Sequence, residues 1–375
     1  MGGIRSTEDI ARLRLFRSAG IGPAKFFQFI DTYGSAEDAI EEINAGAHNQ
    51  KLCSPDQVEQ EVAAIENSGG QLIFWTDDTY SHLLRQTVNP PPILCAYGQP
   101  HLMQRPTIGI VGARNASAAG KRFTTDLAND LAHKGYVVVS GLARGIDTAA
   151  HQGASPENTI AVMAGGIDVT YPPENADLHQ QIAEKGLVIS EMPFSFRPKA
   201  EHFPRRNRVV SGVSLGIVVI EAAERSGSLI TARLAGEQGR DVFAVPGSPL
   251  DPRSSGTNAL IRQGATLVRS AEDILESLHE QPALFAQIEK KPVAPKREPS
   301  NAAAKPVTRA DTASNKSREI PDADRILSCL SHTAVEVDEI VRQTNIKAGD
   351  LLGLLIELEL DGKCKLHPGQ KVTLS

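Results

Sequence analysis

The chemistry of this sequence is concentrated in RPKAEHFPRRNRVVSG, residues 197–212. Five cations stand against one carboxylate between positions 197 and 208, in a chain of formal net charge −6. Guanidinium groups bind phosphate through paired hydrogen bonds, and an aromatic ring gives a base a face to stack on. The stretch predicts an anion-binding surface made by Lys199, Phe203, Arg205, Arg206, Asn207 and Arg208. A buried salt bridge that fixes a loop is the alternative for either Arg206 or Arg208, but not for the whole cluster.

Two further turns carry glycine and arginine directly after apolar runs, in GARNASAAG and in VVVSGLARGIDTAAH. A strand, a tight turn and a helix start attract an anion, because unpaired backbone N–H groups and the helix dipole face it there. Asp147 is expected to cap the helix that follows the second turn. The phosphate-binding candidates in these turns are Gly112, Arg114, Ser140, Gly141 and Arg144.

A third group of small polar residues precedes a predicted helix in EAAERSGSLITARLAGEQG. Hydroxyl groups at a helix N-terminus cap the helix or hold an anion, and both roles are compatible here. The candidates are Ser226, Gly227, Ser228 and Thr231. A later loop, with Gly256 and Asn258 at turn positions, is expected to close the pocket.

Familiar catalytic and cofactor motifs are missing from the sequence. The first turn is not GxGxxG, no acid follows at the spacing that holds a ribose, and there is no GxxxxGK[ST]. The four cysteines are far apart, without CxxC or a Cys/His cluster, so neither zinc nor a disulfide framework is indicated. Glu221 is the only acid suspected of catalysis, and an interior ion pair with an arginine is favoured for it. We expect no catalytic residue, no metal and no cofactor.

Apolar runs alternate with helical patterns from Thr107 onward, which predicts the scaffold that positions these residues. Continuous apolar strands are buried on both faces, as in a parallel sheet covered by helices. We therefore expect a doubly wound, Rossmann-like α/β domain over residues 71–281, with ligands at the carboxyl ends of its strands. Its predicted strands are 108–112, 136–141, 159–166, 187–191, 215–222 and 241–247, after a connector, 71–106, with one strand at QLIFW.

Residues 1–70 predict a small helical domain of the helix-hairpin-helix or SAM-like type. Apolar residues recur at helical spacing in IARLRLF, KFFQFI and VEQEVAAI. Gly20 and Gly22 flank Ile21, and Pro23 stands where a new helix would start. Such a turn presents backbone N–H groups to DNA phosphates, but a plain helical turn in an interaction module remains equally open.

The C-terminal region divides into a linker and a winged-helix-like domain. Residues 282–320 are rich in Pro, Ala, Ser and Lys/Arg, and are expected to form a flexible linker. Residues 321–375 predict three helices and a hairpin that turns at Pro368-Gly369. Nine acids against six bases give this part a net charge of −3, so we favour a protein contact over DNA for it.

Two features of the sequence bear on where in the cell the protein is found. The N-terminus lacks the apolar core of a signal peptide, and no run reaches the ~18 apolar residues of a transmembrane helix. We expect a cytoplasmic protein that does not contact a membrane.

The order of motifs resembles the DNA-processing protein A family (DprA or Smf). VGAR, SGLARGIDTAAH, FPRRNRVVSG, IEAAERSGSLITARLAGEQGRDVFAVPG and SGTNALIRQGA cover about residues 72–280. The resemblance implies a homodimeric, non-catalytic protein of natural transformation that binds single-stranded DNA, protects incoming strands and helps load the RecA recombinase. It implies DNA contacts at Arg114 and in 199–208, with Phe203 stacking. Arg205 departs from the family pattern, since many members carry a small residue there, and its role is open.

Two other functions compete with this one. A nucleotide-cleaving, phosphoribohydrolase-like enzyme shares the fold class but carries PGGxGTxxE, where this chain reads ERSGSLITA. A pure protein scaffold would not need the arginine cluster.

Overall fold

The structure, a computed structural model, describes residues 6–279 continuously and a smaller part of the C-terminal region. The described positions there are 335–336, 340, 344, 346, 351, 354–355, 358, 364–367 and 371–374. The chain divides into two compact units, residues 1–292 and 293–375. The predicted linker, 282–320, lies outside the described residues, as do Lys347, Asp350, Glu357 and Glu359 of the C-terminal region.

Four helices form the N-terminal part, and their bounds are α1 Thr7–Arg17, α2 Pro23–Tyr33, α3 Ala36–Asn44 and α4 Pro55–Asn67. Ser6 caps α1 by accepting a hydrogen bond from the Asp9 N–H. In the turn before α2, Gly20 has φ +74° and Ile21 is buried. The helical domain is confirmed, with α3 in addition to the three helices expected.

A nine-stranded sheet forms the centre of the first unit, in the order β1-β2-β6-β5-β4-β3-β7-β8-β9. The strands from β6 to β9 in this order are parallel, whereas β1 and β2 pair antiparallel at one edge. The bounds are β1 Gln71–Phe74, β2 Ile93–Gly98, β3 Thr107–Gly112, β4 Val137–Ser140, β5 Thr159–Val162, β6 Leu187–Ser190, β7 Gly216–Ile220, β8 Asp241–Ala244 and β9 Thr266–Leu267. All six strands expected after Thr107 are present. The expected one-strand connector instead supplies both β1 and β2, and β9 is also additional.

Helices cover both faces of this sheet. Their bounds are α5 His82–Arg85, α6 Ala118–His133, α7 Ile146–Ala154, α8 Ala176–Lys185, α9 His202–Gly212, α10 Gly227–Glu237, α11 Ser255–Arg262 and α12 Ala271–His279. Alternate residues of each central strand face opposite sides, so Val137 and Val139 pack towards α9 and α10 while Val138 packs towards α6 and α7. The N-terminal helices and α8 share a third apolar cluster with β1 and β6.

The N-terminal helices are joined to the sheet by aromatic and charged contacts. Phe26 of α2 meets Trp75 edge to face, with ring centroids 5.3 Å apart. Arg17 of α1 pairs with Glu61 of α4 at 2.8 Å and donates to the Glu191 carbonyl at 3.1 Å, just after β6. Residues 6–70 therefore pack as a layer on the α/β domain.

The chain reverses its winding at β3, which lies between β4 and β7. A Cβ atom at Gly112 would stand 1.8 Å from the Ile220 carbonyl oxygen, so only glycine lets the ends of β3 and β7 approach this closely. Leu142 and Glu221 have φ of +55° and +51° directly after β4 and β7. A positive φ costs energy in residues other than glycine, and residues with such backbone strain cluster at ligand sites. This switch point is where ligands bind in doubly wound folds.

The second unit contains a three-stranded sheet, in the order β10-β12-β11. The bounds are β10 Val335–Glu336, β11 Cys364–His367 and β12 Lys371–Leu374, so the expected hairpin is confirmed and β10 is additional. Leu351, Leu355 and Leu358 are helical and buried at the spacing of one helix face. Among the residues described in either unit, no helix is both long and apolar enough to span a bilayer.

Candidate nucleic-acid interface

A cleft of about 630 Å³ opens at the switch point, between the loops after β3 and β7 and the first half of α9. Nine of the fifteen sequence-predicted site residues line it: Gly112, Arg114, Phe203, Arg206, Asn207, Ser226, Gly227, Ser228 and Thr231. The others lie beside or beneath it. The structure thus brings together turns that are more than 100 positions apart in the sequence.

Arg114 and Phe203 lie side by side in this cleft, where Arg114 is exposed and Phe203 is half-buried. The Arg114 guanidinium lies over the Phe203 ring, 5.2 Å from its centroid, in a cation–π contact. Tyr171 is a second neighbour of Phe203, with its ring centroid 5.7 Å from that of Phe203 and 48% of its surface exposed. The sequence prediction missed Tyr171, although the YPP string marks a rigid turn that could have drawn attention to it. A cation and two aromatic faces therefore stand side by side.

Arg206 lies beneath the cleft as a structural arginine. It is 6% exposed, and its Nη1 donates to the carbonyls of Gly141 and, at 2.8 Å, Val162. Burial lowers its pKa, and the neighbouring Asp147 carboxylate opposes that shift. Because its guanidinium joins the ends of β4 and β5, its contacts fit a supporting role in the floor of the cleft.

Arg205 and Arg208 converge on one buried carboxylate, that of Glu191. The Arg205 Nε lies 2.8 Å from Glu191 Oε1, and Arg208 pairs with Oε2 of the same group. Arg208 also donates to the Asn89 carbonyl at 3.0 Å. The alternative raised for Arg208, a pin through a buried salt bridge, fits this geometry. Arg205 shares the carboxylate, although two-fifths of its side chain stays exposed.

The helix N-termini beside the cleft already hold carboxylates. Asp147 accepts from the N–H groups of Gly141 and Ala143 at 3.2 and 3.3 Å, and burial raises its pKa. It lies in the first turn of α7, where Gly145 is the N-cap, so the expected N-cap role was wrong. Glu221 accepts from the Ser117 N–H at 2.8 Å and from its hydroxyl. Glu221 therefore covers the start of α6 instead of pairing with an arginine.

Ser140 and Gly141 also lie inside the fold. The Ser140 hydroxyl donates to the Ile110 carbonyl at 2.6 Å and is fully buried. A Cβ at Gly141 would stand 2.2 Å from Arg206 Nη1, so glycine makes room for the guanidinium. Their contacts fit support of the turn rather than contact with a ligand.

The start of α10 forms the opposite wall of the cleft. Ser226 is its N-cap, with its hydroxyl 2.6 Å from that of Ser228, while Gly227 is exposed. Asn207 donates to the Gly227 carbonyl at 3.4 Å, which ties α9 to this wall. Thr231 is buried beneath it.

Exposed cations surround the cleft. Arg144 lies across it with a loose ion pair to Glu174, 3.6 Å away, and Lys199 is exposed before α9. The sequence prediction missed Arg225 and Arg253, which line the cleft from the loops after β7 and β8. Arg253 pairs with Asp251 at 2.8 Å.

The expected closing loop is held by Asn258, which bonds both backbone groups of Gly247.

Within the described residues, no group of three or more His, Cys, Asp or Glu side chains could hold a metal ion. The described cysteines of the first unit, Cys53 and Cys95, are free thiols. The arrangement can therefore offer guanidinium groups and aromatic faces to an anionic, base-bearing ligand.

Three family models match successive parts of this chain. DNA recombination-mediator protein A matches residues 71–279, the DprA-like N-terminal HHH domain matches 6–64, and the DprA winged helix domain matches 307–370. Among curated proteins, DNA processing protein DprA of Bacillus subtilis is 43% identical over 61% of this chain and 75% of that protein. Protein Smf of Synechocystis is 35% identical over 80% of this chain and 79% of that protein.

Solved structures give the same result. DNA processing protein A from Streptococcus pneumoniae superposes with a TM-score of 0.58 at 33% identity, covering 74% of this chain and 98% of that one. The protein from Helicobacter pylori gives 0.52 at 30% identity, covering 56% and 96%. Since the first family model alone spans more than half of the sequence, the chain belongs to the DNA-processing protein A (DprA/Smf) family.

Proposed function

We propose that this protein binds single-stranded DNA, with the cleft at the β3/β7 switch point as its contact site. The observation that carries the proposal is the exposed Arg114 guanidinium over the ring of Phe203. A phosphate bound by Arg114 leaves the neighbouring base within reach of Phe203 or Tyr171. Because every base has an aromatic face, such stacking tolerates any sequence.

An unpaired strand fits this site better than a duplex. In a duplex, bases are stacked on each other and unavailable to protein rings, so aromatic contacts select single strands. The rings of Phe203 and Tyr171 lie among cations rather than in the apolar core. The structure of the Helicobacter pylori relative is described as showing a single-stranded DNA binding mode, which supports the same assignment here.

We further propose that the protein acts by binding rather than by catalysis. Three acids around the cleft have partners within the fold: Asp147 on backbone N–H groups, Glu221 on Ser117 and Glu191 on two arginines. A general base needs a carboxylate free to approach substrate. These contacts favour DNA binding over the nucleotide-cleaving alternative.

The wider role that we propose follows from family membership. The protein would act in natural transformation, as a cytoplasmic homodimer that protects incoming single strands and helps load RecA on them. Nuclease protection of a bound strand and the lag of RecA-dependent ATP hydrolysis test these two activities separately.

The direct test compares a labelled oligothymidylate with duplex DNA of the same length by fluorescence anisotropy, and assays nucleotide turnover in parallel. We expect the single strand to bind more tightly and nucleotides to remain intact. Equal affinity for both forms would contradict the stacking argument. Release of free base from a nucleotide would instead establish the enzyme.

A further inference from the structure

A second cleft, of about 730 Å³, lies between α6 and α7. Four cations line it, Arg114, Lys121, Arg122 and Arg144, and its lining residues include no carboxylate. In a chain of net charge −6, this concentration of positive charge requires an explanation. The sequence prediction placed nothing at Lys121 or Arg122.

The cations of this cleft are available to a ligand. Lys121 and Arg122 are exposed on the first turns of α6, and neither forms an ion pair in the part of the chain that the structure describes. Arg144 has only the solvent-exposed Glu174, at 3.6 Å. Exposed pairs of this kind are weak, so an incoming phosphate can displace the carboxylate.

The second cleft is continuous with the first. Arg114 and Asn115 line both of them. A small hollow beside them is lined by Arg114 and Arg144 together with Phe203 and Tyr171. A chain of phosphates that crosses Arg114 can therefore pass from the aromatic contact into the α6–α7 cleft without leaving a positive surface.

The lining of the second cleft suits a backbone rather than a base. Its other side chains include the exposed Gln152, whose amide can donate to a phosphate oxygen, whereas the hydroxyls of Thr125 and Thr148 donate to the Lys121 and Ala143 carbonyls. None of its lining residues is aromatic. A free nucleotide would need a face for its base, which this cleft does not supply. Phosphate contacts hold a strand without reading its sequence.

We propose that the α6–α7 cleft carries the continuation of the single strand bound at Phe203, with Lys121, Arg122 and Arg144 on successive phosphates. This inference rests on the proposed function, because it assigns the same ligand a second segment of path. The protein accordingly has an aromatic segment that holds bases and an electrostatic segment that holds only the backbone.

The test is a length series of oligothymidylates, from about 4 to about 20 nucleotides, with the full chain and the Lys121→Gln/Arg122→Gln variant. Glutamine keeps the helix propensity of α6 while removing both charges. We expect the variant to bind the shortest strands with the same affinity as the original chain, and the longest strands about tenfold more weakly. On the longest strands the magnitude of its salt slope should be smaller by ~1.4, because two phosphate contacts are lost. The lengths at which the two affinity curves separate would mark entry into the second cleft.

The matched control is Lys185→Gln/Arg233→Gln, which removes two exposed charges from α8 and α10, outside the second cleft. We expect this control to follow the original chain at every length. Equal affinities for the Lys121/Arg122 variant and the control on long strands would overturn the second segment alone. An equal loss on the shortest strands would also overturn it, since the cleft would then belong to the primary contact. Failure of the original chain to bind any strand would overturn the proposed function itself.

Discussion

Single residues with the same chemistry have different roles around the cleft. The sequence locates the arginines but cannot separate the exposed Arg114 from the buried Arg206, because burial here depends on which strands are neighbours. Arg206 donates to the carbonyls of Gly141, just after β4, and Val162, at the end of β5. Arg208 pairs with the carboxylate of Glu191, just after β6. Tyr171 was missed for the same reason, since it approaches Phe203 from 32 positions away.

Phe203 tests the aromatic part of the site. We expect Phe203→Ala to weaken single-strand binding by roughly 1–3 kcal/mol with an unchanged salt slope, because stacking neutralises no phosphate. Phe203→Tyr, which keeps the ring, should retain the affinity. Anisotropy titrations at several salt concentrations measure both quantities. A changed slope in the alanine variant would show that the ring acts by positioning Arg114.

His151 gives a pH dependence of stability. Burial lowers its pKa to about 3, with a smaller contribution from Arg206, and its Nδ1 bonds Thr159 Oγ1 at 2.7 Å. The unfolded chain takes up this proton near pH 6.5 but the folded chain does not, so stability falls as pH drops from about 6.5 towards 3. The resulting loss from this group is about 2 kcal/mol at pH 5 relative to pH 7.5.

Urea unfolding of the original chain and of His151→Gln across this range isolates the effect. The glutamine variant should show a smaller change between pH 7.5 and pH 5, by the amount assigned to His151. The exposed His133→Gln variant controls for the replacement of a histidine by glutamine. An unaltered pH dependence in His151→Gln would mean that the imidazole takes up its proton at the same pH in the folded and unfolded chains, which would contradict the lowered pKa.

At the scale of elements, the sequence predicted the parallel strands well because strands buried on both faces are continuous apolar runs. It missed β2, because the prolines that precede ILCAYG favour a loop over a strand. It also missed β9, which has only two residues, both exposed. It also missed α3, whose buried face includes two small alanines, Ala36 and Ala39. Weak apolar signals and pairing partners distant in sequence account for these three cases.

The packing of the N-terminal helices against the α/β domain should depend on Arg17. Its pair with Glu61 has side chains only 6% and 11% exposed, and it also holds the Glu191 carbonyl. Arg17→Met leaves Glu61 buried without its partner, which costs about 3 kcal/mol in the free energy of unfolding. Chemical denaturation measures this loss, and Arg233→Met, at a pair whose side chains are 70% and 57% exposed, should leave the unfolding midpoint unchanged. Equal midpoints for the two variants would refute the role of the buried pair.

At the scale of the whole molecule, the acidic charge of residues 321–375 disfavours their contact with DNA. Residues 321–375 carry nine acids and six bases, so we expect their deletion to leave single-strand affinity within about threefold. The deletion should begin at residue 321, because residues 288–320 hold eight bases and four acids. Anisotropy with the chain ending at residue 320 measures the effect. Tight duplex binding by a purified 321–375 fragment would contradict the protein-contact role proposed for it.

The salt dependence of affinity tests whether Arg114 binds a phosphate of a single strand. For the original chain we expect log K to fall linearly with log salt concentration, by ~0.7 for each phosphate neutralised. Arg114→Gln should reduce the magnitude of that slope by ~0.7 and leave the thermal midpoint unchanged, since the side chain is exposed. An original chain whose affinity does not respond to salt, or an Arg114→Gln variant with an unaltered slope, would contradict the account.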